Sequence, residues 1–86
     1  MTRRLPFHNL RSYVRRPVNW PAQVTLAGQR PVHCRVKDIS EQGALLEFSG
    51  RAPTATGSLH LKIATIGFDG TCEVKHRSSR LIGVQF

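Results

Sequence analysis

Apolar and polar residues alternate along six short segments, and this two-residue period constrains the fold more than any other feature of the sequence. The longest example runs from Val18 to Leu26, where every second residue is apolar. Such alternation places one set of side chains on one face of a β-strand. In the other five segments the residues predicted to face inward are Val32, Cys34 and Val36; Ala44, Leu46 and Phe48; Leu59, Leu61 and Ile63; Phe68, Cys72 and Val74; and Ile82, Val84 and Phe86.

No segment shows a convincing helical period, so no helix is available to cover the apolar face of these strands. A chain of 86 residues also has room for only one small core. Closing the sheet on itself buries the apolar face and removes the exposed edges. We therefore predict an all-β fold, a small six-stranded antiparallel β-barrel with no substantial helix.

The positive charge is concentrated in the first part of the chain. Residues 1–37 hold eight basic side chains and no acidic one, whereas residues 38–86 hold five of each sign. This asymmetry predicts an anionic partner near the N-terminal half. Residues 1–16 also lack any strand or helix period, which is typical of a flexible arm. We expect a flexible basic arm over residues 1–10 and a barrel domain over 11–86, which includes the loop that carries the arginine motif described below.

Several classes of protein are disfavoured by what the sequence lacks. No apolar run is long enough to span a membrane, no secretory signal is recognisable, and two cysteines without close spacing are expected to stay reduced. We therefore expect a cytoplasmic protein. Without paired carboxylates, a Ser-His-Asp set or a phosphate-binding glycine loop, we expect no enzymatic activity. The histidines show no metal-ligand spacing, and we expect neither a metal nor a cofactor. They are His8, His33, His60 and His76.

Two motifs carry the residues best suited to bind an anion. The first is an Arg-x-x-x-Arg at Arg11 and Arg15, and the second is an Asp-x-Ser-x-x-Gly at Asp38, Ser40 and Gly43. A guanidinium group can bind a phosphate with two hydrogen bonds, can bind guanine O6 and N7 in the same way, and can stack on a purine. The second motif has turn chemistry, since Asp and Ser can accept backbone N–H groups and Gly can adopt a positive φ. It predicts the corner of a hairpin.

Together the two motifs resemble the PilZ domain, the bacterial receptor module for the second messenger cyclic di-GMP. Further matches are the segments 18–21, Val-Asn-Trp-Pro, and 83–86, Gly-Val-Gln-Phe. The resemblance covers residues 10–86 and implies a six-stranded barrel. It also implies that Arg11 and Arg15 grip phosphate and guanine, that Asp38 and Ser40 bond to guanine edges and phosphate, and that Gly43 shapes the corner. From its position directly after the first motif, Arg16 is a further candidate cation.

The resemblance implies a receptor that signals to a protein effector not identified by the sequence, in motility, polysaccharide or biofilm control, as a monomer or weak dimer. A dianionic ligand would neutralise the basic arm and order it against the barrel. One alternative is a PilZ-type adaptor that binds no nucleotide. Another is a basic nucleic-acid-binding barrel, which is less favoured because Phe48, Phe68 and Phe86 belong to the inward set and leave few aromatic residues for a binding groove.

Overall fold

Six antiparallel β-strands close into a barrel in the computed structural model, which describes residues 15–86. The strands are β1 (Arg16–Thr25), β2 (Val32–Ile39), β3 (Gly43–Glu47), β4 (Ser58–Ile63), β5 (Phe68–Arg77) and β6 (Leu81–Gln85). Their order around the barrel is β1-β2-β3-β6-β5-β4, and β4 pairs with β1 to close it. The predicted fold class is confirmed. The predicted arm over residues 1–10 lies outside the described residues.

Helical structure in residues 15–86 is limited to one 3-10 turn, Ala64–Ile66, between β4 and β5. Gly67 ends this turn in the left-handed conformation, with φ +69°, and its N–H donates to the carbonyl of Ala64. Within the same part of the chain there is no helix with the length and apolar character needed to cross a membrane.

The alternation along the strands fills the interior of the barrel with apolar side chains. In β4, for example, Leu59, Leu61 and Ile63 are buried while the residues between them are exposed. No polar or charged side chain is buried among the residues that the structure describes. Since burying one large aliphatic side chain contributes roughly 1.5–3 kcal/mol, this wholly apolar interior is the main source of stability. The largest fully buried side chains are Leu46, Leu61, Ile63, Ile82, Val24, Val36 and Cys72.

The corner between β2 and β3 is shorter than predicted, because Asp38 and Ile39 belong to β2 and Gly43 begins β3. A register shift between Val36 and Asp38 makes Lys37 an extra residue in the β2–β3 pairing. Without this β-bulge, the alternation from Val36 would point Asp38 into the core. With it, Asp38 faces outward and Ile39 packs against the core.

A glycine is required at position 43 for a different reason from the one predicted. The glycines with positive φ in the described part of the chain are Gly28, Gly57 and Gly67, so the expectation that Gly43 closes the corner in this conformation is wrong. Gly43 is instead extended and lies against β6, where a Cβ atom would overlap the carbonyl oxygen of Val84. A side chain is excluded there because the two strands approach closely.

The prediction that Phe86 faces inward is also wrong. Phe48 is buried at 2% exposure, but Phe86 follows the last residue of β6 and is 40% exposed. Its ring packs on that of Phe68 at a centroid distance of 4.9 Å, and Phe68 itself is only half-buried. The barrel therefore has more accessible aromatic surface than the sequence indicated, and the argument against nucleic-acid binding is weaker. These two rings nevertheless pack on each other.

The close approach at Gly43 predicts a stability defect. We expect Gly43→Ala to lower the free energy of unfolding by about 1–3 kcal/mol, the usual cost of overpacking, because the methyl group would force β3 and β6 apart. Chemical denaturation followed by circular dichroism measures this change. Gly50→Ala is the matched control, since a Cβ there meets no atom within 4 Å and Gly50 has no positive φ. Equal stability of the two variants would contradict the prediction.

The two cysteines are predicted to be unreactive in the folded protein. Both are free and buried, and burial raises the pKa of the Cys34 thiol to about 12 and that of the Cys72 thiol to about 11. Because the thiolate is the reactive species, we expect slow reaction with a disulfide reagent at pH 8 and fast reaction of both thiols in denaturant. Rapid labelling of the native protein would contradict the packing described here.

The same pKa shifts give a stability that depends on pH. Above about pH 9 the thiols ionise in the unfolded chain but stay protonated in the barrel. The free energy of unfolding should therefore fall as the pH rises from about 9 towards 12. A Cys34→Ala, Cys72→Ala double variant should show a smaller fall over the same range, and an identical fall in both proteins would count against this assignment.

Candidate functional site

An open cavity of about 410 Å³ lies on the outer face of the barrel, where β1 and β3 begin and β2 and β6 end. Its size falls in the range of small-molecule binding sites. Its walls come from strands β2, β3, β5 and β6, from the corner between β2 and β3, and from Arg15, which directly precedes β1. The lining residues are Arg15, Asp38, Ser40, Gln42, Gly43, Ala44, Leu45, Lys75, His76, Gly83, Val84 and Gln85.

Arg15 and Asp38 meet at this cavity although they are 23 positions apart in the sequence. Antiparallel pairing of β1 with β2 places Pro17 opposite Asp38, and Nη1 of Arg15 lies 2.6 Å from Oδ1 of the Asp38 carboxylate. The side chains are 59% and 24% exposed, respectively. An ion pair at such exposure contributes only about 0–1 kcal/mol, so a ligand can replace either partner at little energetic cost.

Ser40 shapes the corner between β2 and β3. Its Oγ accepts a hydrogen bond of 3.2 Å from the N–H of Gln42, and its own N–H donates to the carbonyl of Gly43 at 2.9 Å. The predicted turn chemistry is thus confirmed for Ser40. The carboxylate of Asp38, which was expected to serve the corner as well, accepts instead from Arg15.

The end of β6 holds the corner against the barrel. The N–H of Phe86 donates to the carbonyl of Gln42 at 2.8 Å, and Gly43 pairs with Gln85. The corner is therefore fixed on both sides, by its own hydrogen bonds and by β6. A ligand that binds here meets a rigid surface, which lowers the entropic cost of binding.

Four of the six predicted site residues line the cavity, namely Arg15, Asp38, Ser40 and Gly43. Arg16 is exposed at the first position of β1, where it pairs with Ile39 and lies outside the lining. Arg11 is outside the described residues. The roles of all six in binding remain predictions, and the structure adds that one arginine of the first motif already contacts the second motif.

The side of the cavity formed by β5 and β6 was not predicted from the sequence. Lys75, His76 and Gln85 line this side, and no local motif marks the first two. They reach the site because β6 lies between β3 and β5 around the barrel. The only sequence signal for this side is the Gly-Val-Gln-Phe segment at residues 83–86, which is part of the resemblance.

The sequence matches a known family of protein domains. The model of the PilZ domain matches residues 9–86, a range that includes both motifs and every residue that lines the cavity. No curated protein matches the chain. With nearly its whole length covered, the chain belongs to the PilZ domain family, a family of receptors for cyclic di-GMP.

Proposed function

We propose that this protein binds cyclic di-GMP in the cavity between Arg15 and His76 and passes the signal to a protein effector. The observation that carries the proposal is the ion pair of Arg15 with Asp38, which brings the two motifs together at the edge of the cavity. The ligand has two phosphates and two guanine bases. The cavity offers groups suited to each of them.

Arg15 supplies the cation for a phosphate or for the O6 and N7 edge of a guanine. Its guanidinium group presents a planar set of donors, and these charge-assisted hydrogen bonds are stronger than neutral ones. Because the bond to Asp38 is exposed and weak, the guanidinium can turn to the ligand. The freed carboxylate of Asp38 then accepts from the N–H groups of guanine, and the hydroxyl of Ser40 donates to a phosphate oxygen.

We propose that Arg11 and Arg16 also bind the ligand. Arg11 precedes Arg15 by four residues, and Arg16 begins β1 beside the cavity. Both belong to the segment of residues 1–37 that carries no acidic residue, so like charges repel one another there until an anion arrives. A dianionic ligand neutralises them and draws the N-terminal segment onto the barrel.

The signal then leaves the domain as a change of surface. A binding domain of this kind can act on another protein by exposing or covering a contact area, and the segment before β1 together with the corner at Ser40 forms that area. We propose a cytoplasmic receptor of this kind without enzymatic activity. No feature of the described residues favours either alternative over this assignment. The alternatives are an adaptor that binds no nucleotide and a nucleic-acid-binding barrel.

Calorimetric titration of cyclic di-GMP at moderate salt tests the proposal. We expect saturable binding to the wild-type protein and a dissociation constant at least about tenfold higher for Arg15→Ala, which removes charge-assisted hydrogen bonds worth roughly 1.5–3 kcal/mol. Arg30→Ala, in the exposed turn between β1 and β2 at the opposite end of the barrel, makes the same change of charge and should bind like the wild type. Absence of binding to the wild-type protein would contradict the proposal.

Hydrogen exchange tests the proposed ordering of the N-terminal segment. We expect the amides of residues 5–16 to exchange more slowly when cyclic di-GMP is bound, because the arginines then contact the ligand. Arg15→Ala at the same ligand concentration should show little of this protection. Saturating ligand with unchanged exchange over residues 5–16 would mean that the ligand binds without engaging the segment.

A further inference from the structure

Three exposed arginines surround one junction at the end of the barrel opposite the cavity. This end holds the loop at residues 48–57, which follows β3, and the turn at residues 78–80, which joins β5 to β6. Arg51 lies in the loop, Arg80 lies in the turn, and Arg77 is the last residue of β5. None of the three lines the cavity, so the function proposed above does not use them.

Main-chain hydrogen bonds hold the loop and the turn together. The N–H of Ala52 donates to the carbonyl of Ser79 at 2.7 Å, and the N–H of Phe48 donates to the carbonyl of Arg80 at 2.8 Å. Ala52 and Phe48 are buried, which anchors the loop to the core. Arg51 and Arg80 adjoin the two peptide groups that the first bond joins, so their Cα atoms lie within about 8 Å of each other.

Arg77 points towards the same end of the barrel. It pairs with Ile82, whose side chain is fully buried, and paired residues of antiparallel strands share one face of the sheet. Because Arg77 is itself exposed, its side chain leaves over the open end of the barrel. The N–H of Ser78 donates to the carbonyl of Leu81 at 2.8 Å and closes the turn, which keeps Arg77 close to Arg80. We call Arg51, Arg77 and Arg80 the arginine face.

The positive charge of the arginine face is not balanced within the chain. The sequence has five acidic residues, and all of them are among residues 15–86. Four contact other basic side chains, namely Asp38 with Arg15, Glu47 with Lys37, Asp69 with His60 and Glu73 with Lys75. The fifth, Glu41, belongs to the corner between β2 and β3 at the opposite end. The arginine face therefore presents three positive charges to an external anion.

We propose that the arginine face binds an acidic segment of the protein effector. This inference rests on the proposed function, because it names the chemistry of the effector. A guanidinium group binds a carboxylate with two parallel hydrogen bonds, and arginine is enriched in protein interfaces whereas lysine is depleted. Every basic residue of the loop and the turn is an arginine. The effector stays attached here while the ligand changes the surface at the other end.

Nucleic acid and an anionic membrane fit the arginine face less well. Single-stranded nucleic acids stack their bases on aromatic side chains, but the exposed large apolar side chains of residues 15–86 are Ile66 and Phe86. Both lie at the end of the barrel that holds the cavity. The described residues of the arginine face therefore include no large apolar side chain that could enter a lipid layer, and anionic lipid would be held by charge alone.

Titration with a hexaglutamate peptide tests this inference. Amide chemical shifts are recorded while the peptide is added, with and without saturating cyclic di-GMP. We expect saturable changes at residues 49–52 and 77–80 under both conditions, because the arginine face is remote from the cavity. Raising the salt concentration should weaken this binding, since the contacts are ionic and exposed.

Two variants show whether the arginines themselves bind the peptide. We expect the double variant Arg51→Ala, Arg80→Ala to raise the dissociation constant for hexaglutamate at least about fivefold, because charge-assisted hydrogen bonds are lost. Lys62→Glu is the control, since it lowers the net charge by the same amount at an exposed position on β4, and it should bind within about twofold of the wild type. The junction is held by main-chain hydrogen bonds, so both variants should fold, and thermal melting followed by circular dichroism checks this.

The outcomes distinguish this inference from the proposed function. If the double variant binds hexaglutamate as well as the wild type does, or if the peptide shifts only residues near Arg15, the inference is wrong and the binding of cyclic di-GMP is unaffected. If the peptide binds at the arginine face but cyclic di-GMP does not bind, the proposed function fails and the acidic docking site stands. Tighter binding of a DNA hexamer or of phosphatidylglycerol vesicles than of the peptide, lost in the double variant, would overturn the choice of a protein partner.

Discussion

A closed barrel with a wholly apolar interior leaves no place for an inward-pointing charge, and this constraint determines how the candidate site is built. Alternation along a strand would direct Asp38 and His76 into the core. In each case a single extra residue, Lys37 in β2 and Lys75 in β5, reverses the direction. The two bulges therefore supply the polar and aromatic ends of one cavity and leave the core intact.

The energetics of the site suit a receptor. The bond between Arg15 and Asp38 is short but exposed, so it contributes little stability. The fold is held instead by the apolar interior and by the hydrogen bonds of the six strands. A ligand can therefore take over Arg15 without weakening the barrel. The corner at Ser40 is fixed by its own hydrogen bonds and by β6, and we propose that it stays in place when a ligand binds.

Features that depend on residues close together in the sequence were predicted correctly. The alternation of apolar and polar residues along six segments predicted an all-β barrel, and the two motifs predicted which side chains would meet near the corner. Asp38 was misassigned to the corner because a bulge breaks the alternation without a sequence signal of its own. The role of Gly43 was predicted wrongly because the atom that excludes a side chain there is the carbonyl oxygen of Val84. Val84 is some forty positions away in the sequence and lies in a neighbouring strand.

Contacts between distant strands account for the rest. His76 could be placed in the site only once β6 was known to lie between β3 and β5. Phe86 continued the alternation of β6, but the strand ends at Gln85 and the ring packs on Phe68 outside the core. Such features depend on strand order and on where pairing stops, and neither is encoded in the spacing of apolar residues.

The most direct test of this account is the location of the ligand. Amide chemical shifts of the isotope-labelled protein should be recorded while cyclic di-GMP is added. We expect the largest changes over residues 38–45, 75–76 and 83–85, and small changes in the turns at residues 28–30 and 78–80 and the loop at 49–57, which lie at the opposite end of the barrel. Changes concentrated at that opposite end, or none at saturating ligand, would contradict the assignment of the cavity as the receptor site.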